Sequence, residues 1–213
     1  MVGIKNIIFD LGGVIIDLER EQSVKRFIEI GVSDAETLLD PYEQKGIFLE
    51  LENGSLTFPQ FCDKLRAHTG KNISEEAISH AWKGFIMDVP AYKLEYLLEL
   101  RKKYKLYLLS NTNPVIMDWA RTPQFTPAGR PITDYFDKIY ASYEIGITKP
   151  DPAIFEYMIR DAGLDPSESL FVDDGKRNVE VGEEFGFLTY QPFNKEDWRK
   201  PVQAILDQSK STK

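Results

Sequence analysis

Histidine and cysteine are almost missing from this chain. Its 213 residues include two histidines, His68 and His80, and one cysteine, Cys62. A single cysteine excludes an internal disulfide, and so little imidazole and thiol leaves almost no material for a Ser-His-Asp triad or a zinc site. Both histidines fall in stretches of helical spacing, where solvated helix surface is the expected role. No apolar run of membrane-spanning length and no charged-then-apolar leader is present, so a cytoplasmic protein with no membrane partner is expected. Positive charge is also in deficit: 26 Lys and Arg against 34 Asp and Glu give a formal charge of -8 and a pI near 4.9. Without a basic patch such a chain repels phosphate polyanions, which argues against a nucleic-acid partner. Carboxylates must carry any chemistry.

What is present begins with Ile7-Ile8-Phe9-Asp10-Leu11-Gly12-Gly13-Val14-Ile15-Ile16. An apolar run ending in a carboxylate and two glycines reads as a buried parallel strand that delivers Asp10 to a tight loop. An aspartate there can also do no more than cap the next turn. The pattern recurs: Leu106 to Leu109 ends in Ser110-Asn111-Thr112-Asn113, and Ser169 to Val172 ends in Asp173-Asp174-Gly175. Lys138–Ala141 and Phe187–Tyr190 add two further strands. Between them lie helical spacings over Tyr92–Leu100, Pro114–Ala120, Ile154–Ala162 (stopped by Gly163) and Val179–Phe185. From Asp17 to about Pro90 the pattern is helical only, with Val24, Phe27 and Ile28 on one face, then Tyr42–Leu51, Phe58–Leu65 and Ala77–Ile86. Arg121 to Pro131, rich in proline, reads as a loop bordering the site. Lys195 to Leu206 reads as a helix kinked or restarted by Pro201, with Ser209 to Lys213 frayed.

Strands separated by helices predict an α/β fold with a parallel sheet whose C-terminal strand ends share one edge. Asp10, Ser110, Asp173 and Asp174 should meet there. Three carboxylates in one place repel one another, and oxygen-only ligands favour magnesium as the cation between them. A carboxylate exposed at a strand tip beside that ion is placed to attack phosphorus and form an aspartyl-phosphate, with Asp10 the best candidate. The Ser110 hydroxyl and the backbone amides after it, Asn111 included, can hold phosphoryl oxygens, and a nearby lysine can offset developing charge.

Four motifs carry a resemblance across almost the whole chain: Phe9-Asp10-Leu11-Gly12-Gly13-Val14, Leu109-Ser110-Asn111, Thr148-Lys149-Pro150-Asp151 before a helix, and Phe171-Val172-Asp173-Asp174. In this order they resemble the haloacid dehalogenase (HAD) superfamily of hydrolases. The resemblance implies a Rossmann-like core over residues 1–17 and 89–213 and an inserted all-helical cap over 18–88. It implies Asp10 as nucleophile, Ser110 as phosphate ligand and Lys149 as charge neutraliser. Asp174 would bind magnesium directly, and Asp173 would be either a further ligand or a partner of the ligands. The family commonly has a second aspartate two residues after the nucleophile. Here Gly12 stands there: its carbonyl can still serve the metal, but it cannot pass protons. Gly12 and the Ser-Asn-Thr-Asn run resemble bacterial glucose-1-phosphate phosphatases.

The expected function is a magnesium-dependent phosphatase acting on a small phosphate ester, as a monomer or homodimer. A dehalogenase would need no metal and gain nothing from adjacent Asp173 and Asp174; a mutase would need the aspartate missing at Gly12. A non-catalytic protein that binds metal and phosphate is the remaining alternative. Lys45, Gly46 and Trp82 in the insert, and Arg121 and Arg130 in the loop, are candidate substrate contacts, with surface or packing roles as the alternative for each. Hinges are expected near Asp17 and near Met87 to Pro90.

Overall fold

The computed structural model describes residues 3–39 and 45–210. Its chain order is β1 (Asn6–Phe9), β2 (Asp17–Leu18), α1 (Arg20–Glu29), α2 (Ala35–Leu38), α3 (Gly46–Glu52), α4 (Phe58–Thr69), α5 (Glu75–Trp82), β3 (Ile86–Asp88) and α6 (Ala91–Arg101). It continues with β4 (Lys105–Ser110), α7 (Pro114–Ala120), β5 (Lys138–Ala141), α8 (Ser142–Ile145), α9 (Pro152–Ala162), β6 (Ser169–Val172), α10 (Lys176–Glu184), β7 (Leu188–Tyr190) and α11 (Arg199–Lys210).

Five strands form a parallel sheet in the order β5-β4-β1-β6-β7. The sheet is covered on both faces, which is why its central strands read as unbroken apolar runs. Ile7 and Phe9 point to the face packed with Leu97, Trp198 and Val202, whereas Ile8 points to the face packed with Ile154, Phe155 and Met158. The alternation repeats on β4 and β6, where Leu108 and Val172 share the first face and Leu109 and Phe171 the second. Gly163, at φ 61°, ends α9 in the left-handed conformation that suits glycine.

Helices α1 to α5 build a second apolar cluster around Trp82, whose ring lies 5.3 to 5.9 Å from those of Phe27, Phe48, Phe61 and Phe85. Local signals start these helices: Thr57 and Gln60 form a reciprocal capping box on α4, and Ser74 caps α5. The insert meets the sheet domain through Ser142, a buried residue whose hydroxyl donates to the Glu52 carbonyl (2.6 Å) and accepts from the Thr112 amide (3.0 Å). Beside it, Gly54 has φ 73°, and a Cβ built there would lie 2.2 Å from the Tyr143 carbonyl oxygen.

Several expectations need correction. The 17–90 span is not helical throughout, because β2 and β3 pair antiparallel and a 3-10 turn covers Lys83–Phe85. Two- and three-residue strands are too short to show a period, so Ile86 reads as a helix end when it belongs to β3. Ile28 does not share the buried face of Val24 and Phe27 and is half exposed. The last helix begins at Arg199, and Pro201 lies in its first turn, where the missing N–H has no helical acceptor to lose. Ser209 is not frayed: it is buried in α11 and its hydroxyl donates to the Leu206 carbonyl. The expected helix start at Tyr42, and the tail after Lys210, lie outside the described residues.

The contact at Gly54 generates a test. Gly54→Ala would add left-handed strain and a clash with rigid backbone, so it should lower stability by about 1–3 kcal/mol in urea denaturation. An unchanged midpoint would show that the insert does not sit this close.

Candidate active site

The loops that follow β1, β4 and β6, together with the loop before α9, converge at the C-terminal edge of the sheet, where open α/β folds place ligands. Asp10 follows β1 directly, and its amide donates to the Val172 carbonyl (2.9 Å), which ties the strand tip to β6. The structure brings Asp10, Asp173 and Asp174 together so that one oxygen of each lies within 4.8 Å of the others.

Lys149 stands among them with its side chain almost wholly buried. Its ammonium donates to the Leu109 carbonyl (2.8 Å) and to Asp173 Oδ2 (2.5 Å), and lies 3.0 Å from Asp10 Oδ1. That last contact is off the axis of a hydrogen bond, and Asp10 Oδ1 is buried without a hydrogen-bond partner among the described residues. Burial alone would lower the Lys149 pKa; the combined charges of Asp10 and Asp173 outweigh it and hold the ammonium above its ordinary value. Asn111 fixes the lysine from behind: its side-chain amide donates to the Lys149 carbonyl (2.8 Å), and its Oδ1 accepts from the Lys149 amide (2.7 Å).

The two acids after β6 have different surroundings. Asp173 has both oxygens engaged, Oδ2 by Lys149 and Oδ1 by the Gly175 amide (2.8 Å) and Asn178 Nδ2 (2.9 Å). Asp174 faces the Leu11–Ile16 turn, where a Cβ on Gly13 would sit 2.1 Å from Asp174 Oδ2. Only glycine, here at φ 73°, admits the carboxylate so close. Burial, then the charges of Asp10 and Asp173, push the Asp174 carboxyl up to about 7. Burial also pushes Asp10 up to about 6 against the pull of Lys149, with the Asp173 charge adding to the rise. One ammonium among three carboxylates leaves a negative, oxygen-lined site that a hard divalent cation fits.

The Ser110-to-Asn113 run divides its work. Ser110 is buried at the strand tip, and its hydroxyl makes only a 3.3 Å contact with the Asn111 carbonyl. Asn111 holds Lys149, Thr112 meets Ser142, and Asn113 caps α7 by accepting from the Ile116 amide. Other candidates lie elsewhere: Trp82 is packed inside the insert, Lys45 and Gly46 sit at the start of α3, and Arg121 is paired with Glu144 (2.7 Å) and the Tyr143 hydroxyl (3.2 Å). The 121–131 loop packs through Phe125 and Thr126, leaving Arg130 exposed. His68 meets Asp34 on the surface of the insert, and His80 is exposed on α5. Sequence reasoning missed Asn178, which no spacing rule marks, and the part played by Gly13.

Raised carboxyls link this site to stability. Between the ordinary value of 3.8 and about 7, the folded metal-free chain holds more protons than the unfolded one. Their contribution is therefore present at acid pH and lost as pH rises through about 6 and about 7. In chelator, wild-type stability should fall from mildly acidic to mildly alkaline pH, and Asp174→Asn should flatten the fall and be the more stable protein at alkaline pH. Parallel curves for the two proteins would contradict this electrostatic picture.

Residues 4–186 match the family model of the haloacid dehalogenase-like hydrolases. The chain is 50% identical, over 96% of its length and 99% of the relative's, to D-ribitol-5-phosphate phosphatase of Bacteroides thetaiotaomicron. A predicted HAD-like family hydrolase from Porphyromonas gingivalis superposes with a TM-score of 0.92 at 46% identity, covering 95% of this chain and 98% of that one. A HAD family enzyme from Bacteroides thetaiotaomicron, an Asp-to-Ala mutant solved with magnesium and inorganic phosphate, superposes with a TM-score of 0.90 at 42% identity, covering 94% and 99%. No helix among the described residues is long and apolar enough to cross a membrane. With its four motifs gathered at one sheet edge and these similarities spanning nearly its full length, the chain belongs to the haloacid dehalogenase-like hydrolases.

Proposed function

We propose that this protein is a magnesium-dependent phosphomonoesterase that passes the phosphoryl group of a small polyol or sugar phosphate first to Asp10 and then to water. The observation that carries the reading is a buried strand-tip carboxylate, its Oδ1 without a hydrogen-bond partner, held beside one ammonium and two more acids. The magnesium and phosphate in the Bacteroides thetaiotaomicron structure support the choice of ion and substrate class. Glucose-1-phosphate phosphatases, expected as the nearest group, find no specific support among the relatives. The relative named for D-ribitol 5-phosphate makes that ester the first substrate to test, with glucose 1-phosphate as the comparison.

In this reading Asp10, Asp174 and the Gly12 carbonyl hold the ion, while Asp173, with both oxygens engaged, orients Lys149. Magnesium bound there supplies a Lewis acid that offsets charge between the nucleophile and the phosphoryl oxygens. An Asp10 oxygen forms the new bond to phosphorus as the ester oxygen leaves; water then attacks the same phosphorus, releasing phosphate and restoring the carboxylate. Ser110 and the Asn111 amide hold phosphoryl oxygens, and Lys149 balances the developing charge. The Asn111 side chain contributes indirectly by fixing the Lys149 backbone. Residues 18–88 serve as a cap, entered and left through the β2–β3 ribbon, and its closure would exclude water during transfer.

EDTA should abolish hydrolysis of D-ribitol 5-phosphate, and magnesium should restore it. Asp10→Asn should bind the ion yet lose essentially all turnover, separable by calorimetry and phosphate release. Full activity after chelation, or normal turnover in Asp10→Asn, would refute the reading.

Gly12 adds a second test. General acid help is worth about 10²- to 10⁴-fold and matters most for poor leaving groups such as sugar alkoxides. With no carboxyl at position 12, phosphorylation rates measured by rapid quench should fall steeply from p-nitrophenyl phosphate to alkyl and sugar phosphates. The nearest atoms to a Cβ on Gly12 would be those of the movable Leu18 side chain, with Cδ1 at 3.0 Å, so Gly12→Asp can be accommodated and should accelerate the poor leaving groups selectively. A flat series in the wild type would show that another group supplies the proton.

A further inference from the structure

Lys93 is a lysine with no exposed side-chain surface, placed on the buried stripe of α6 with Leu97 and Leu100. Its ammonium donates to the Val14 carbonyl (2.8 Å) and to Asp17 Oδ1 (2.7 Å). The same Val14 carbonyl accepts from Trp198 Nε1 (2.8 Å) on the C-terminal side of the chain. Burying an ammonium is costly, and an apolar pair of similar volume would commonly hold a fold at least as well. The residue therefore calls for an explanation other than stability.

Its two acceptors supply one. Val14 belongs to the turn that follows Asp10, in which Gly13 N bonds to the Ile16 carbonyl while Ile15 N and Ile16 N bond to the Leu11 carbonyl. This turn presents Gly13 to Asp174, with Gly12 beside it in the turn. Asp17 opens β2, the outgoing strand of the insert, and Lys93 follows Pro90, where the chain has returned. One ammonium thus ties together the turn beside the acids, the exit to the insert and the return from it.

We propose that Lys93 is a positioning residue: by holding Val14 and Asp17 at once, it sets the Gly12–Gly13 turn against Asp174 and fixes the base from which the insert moves. It touches neither Asp10 nor Lys149 in the network described above, so it acts through the turn. The proposal deepens the phosphatase reading and rests on it for the kinetic readout only.

The double variant Lys93→Met/Asp17→Leu removes the ion pair while leaving Trp198 on the Val14 carbonyl. Its urea midpoint should equal or exceed that of the wild type. Amide hydrogen exchange at Gly13, Ile15 and Ile16, measured without metal, should nevertheless speed up by about tenfold or more, the scale of one lost charge-assisted hydrogen bond. With magnesium and D-ribitol 5-phosphate, kcat should fall by about 10- to 100-fold, as for other residues that orient a metal site, with KM little changed. Lys93→Arg should not restore these properties, because a planar guanidinium does not replace a compact ammonium in a closed pocket. Wild-type exchange rates in a folded double variant would overturn the proposal. If that variant does not fold, exchange in the wild type decides: the three amides should open only with global unfolding, and fast local exchange would overturn the proposal. Exchange is read without substrate, so a failure of the phosphatase reading, seen as no turnover in the wild type, is distinguishable from a failure of this one.

Discussion

The buried ammonium of Lys149 is the interaction on which the site depends. Three carboxylates cannot share the end of one sheet without a cation, and Lys149 supplies the only one in this network. Its placement is determined three times over: by the Leu109 carbonyl at the end of β4, by Asp173 at the end of β6, and by the pair of Asn111 bonds to its backbone. The anchors come from the ends of two strands, β4 and β6, so the sheet has to be assembled before the ammonium has its partners. Burial, together with the negative charge that remains, raises Asp10 and Asp174 and leaves an oxygen-lined site that a hard divalent cation fits.

The geometry also separates two adjacent acids that look equivalent in sequence. Asp173 has both oxygens hydrogen-bonded, one of them to Lys149; Asp174, pressed against a glycine turn, has an oxygen within 4.8 Å of Asp10. Side-chain hydrogen bonds from Ser142 and Asn194 tie the insert to this arrangement. Ser142 couples the Glu52 carbonyl to the loop carrying Thr112, and the Asn194 side chain bonds both the amide and the carbonyl of Leu18, as a neighbouring strand would. Position of the insert and geometry of the Ser110–Asn113 loop are thus mechanically connected.

Much of this was legible in the chain. Apolar runs ending in Asp10, Ser110 and Asp173-Asp174 announced strands and their edge because parallel strands are buried on both faces and must stop where polar groups begin. The helix stop at Gly163 was equally local. The β2–β3 ribbon was not legible, since each of its strands is stabilised by a partner distant in sequence. Lys93 was passed over because a lysine is ordinarily solvated; its place on an apolar stripe was the available signal.

By itself the sequence determined the α/β class, a largely helical insert and the acids at the strand ends, which follow from short-range periodicity and residue chemistry, and it carried the four motifs by which it resembles its family. Only the tertiary structure decided which acid is engaged and which is open, that Asn111 serves Lys149, that Gly13 makes room for Asp174, and that Lys93 is buried. Those outcomes depend on distances between residues far apart in the chain, and hydrogen bonds between such residues leave no periodic trace in sequence.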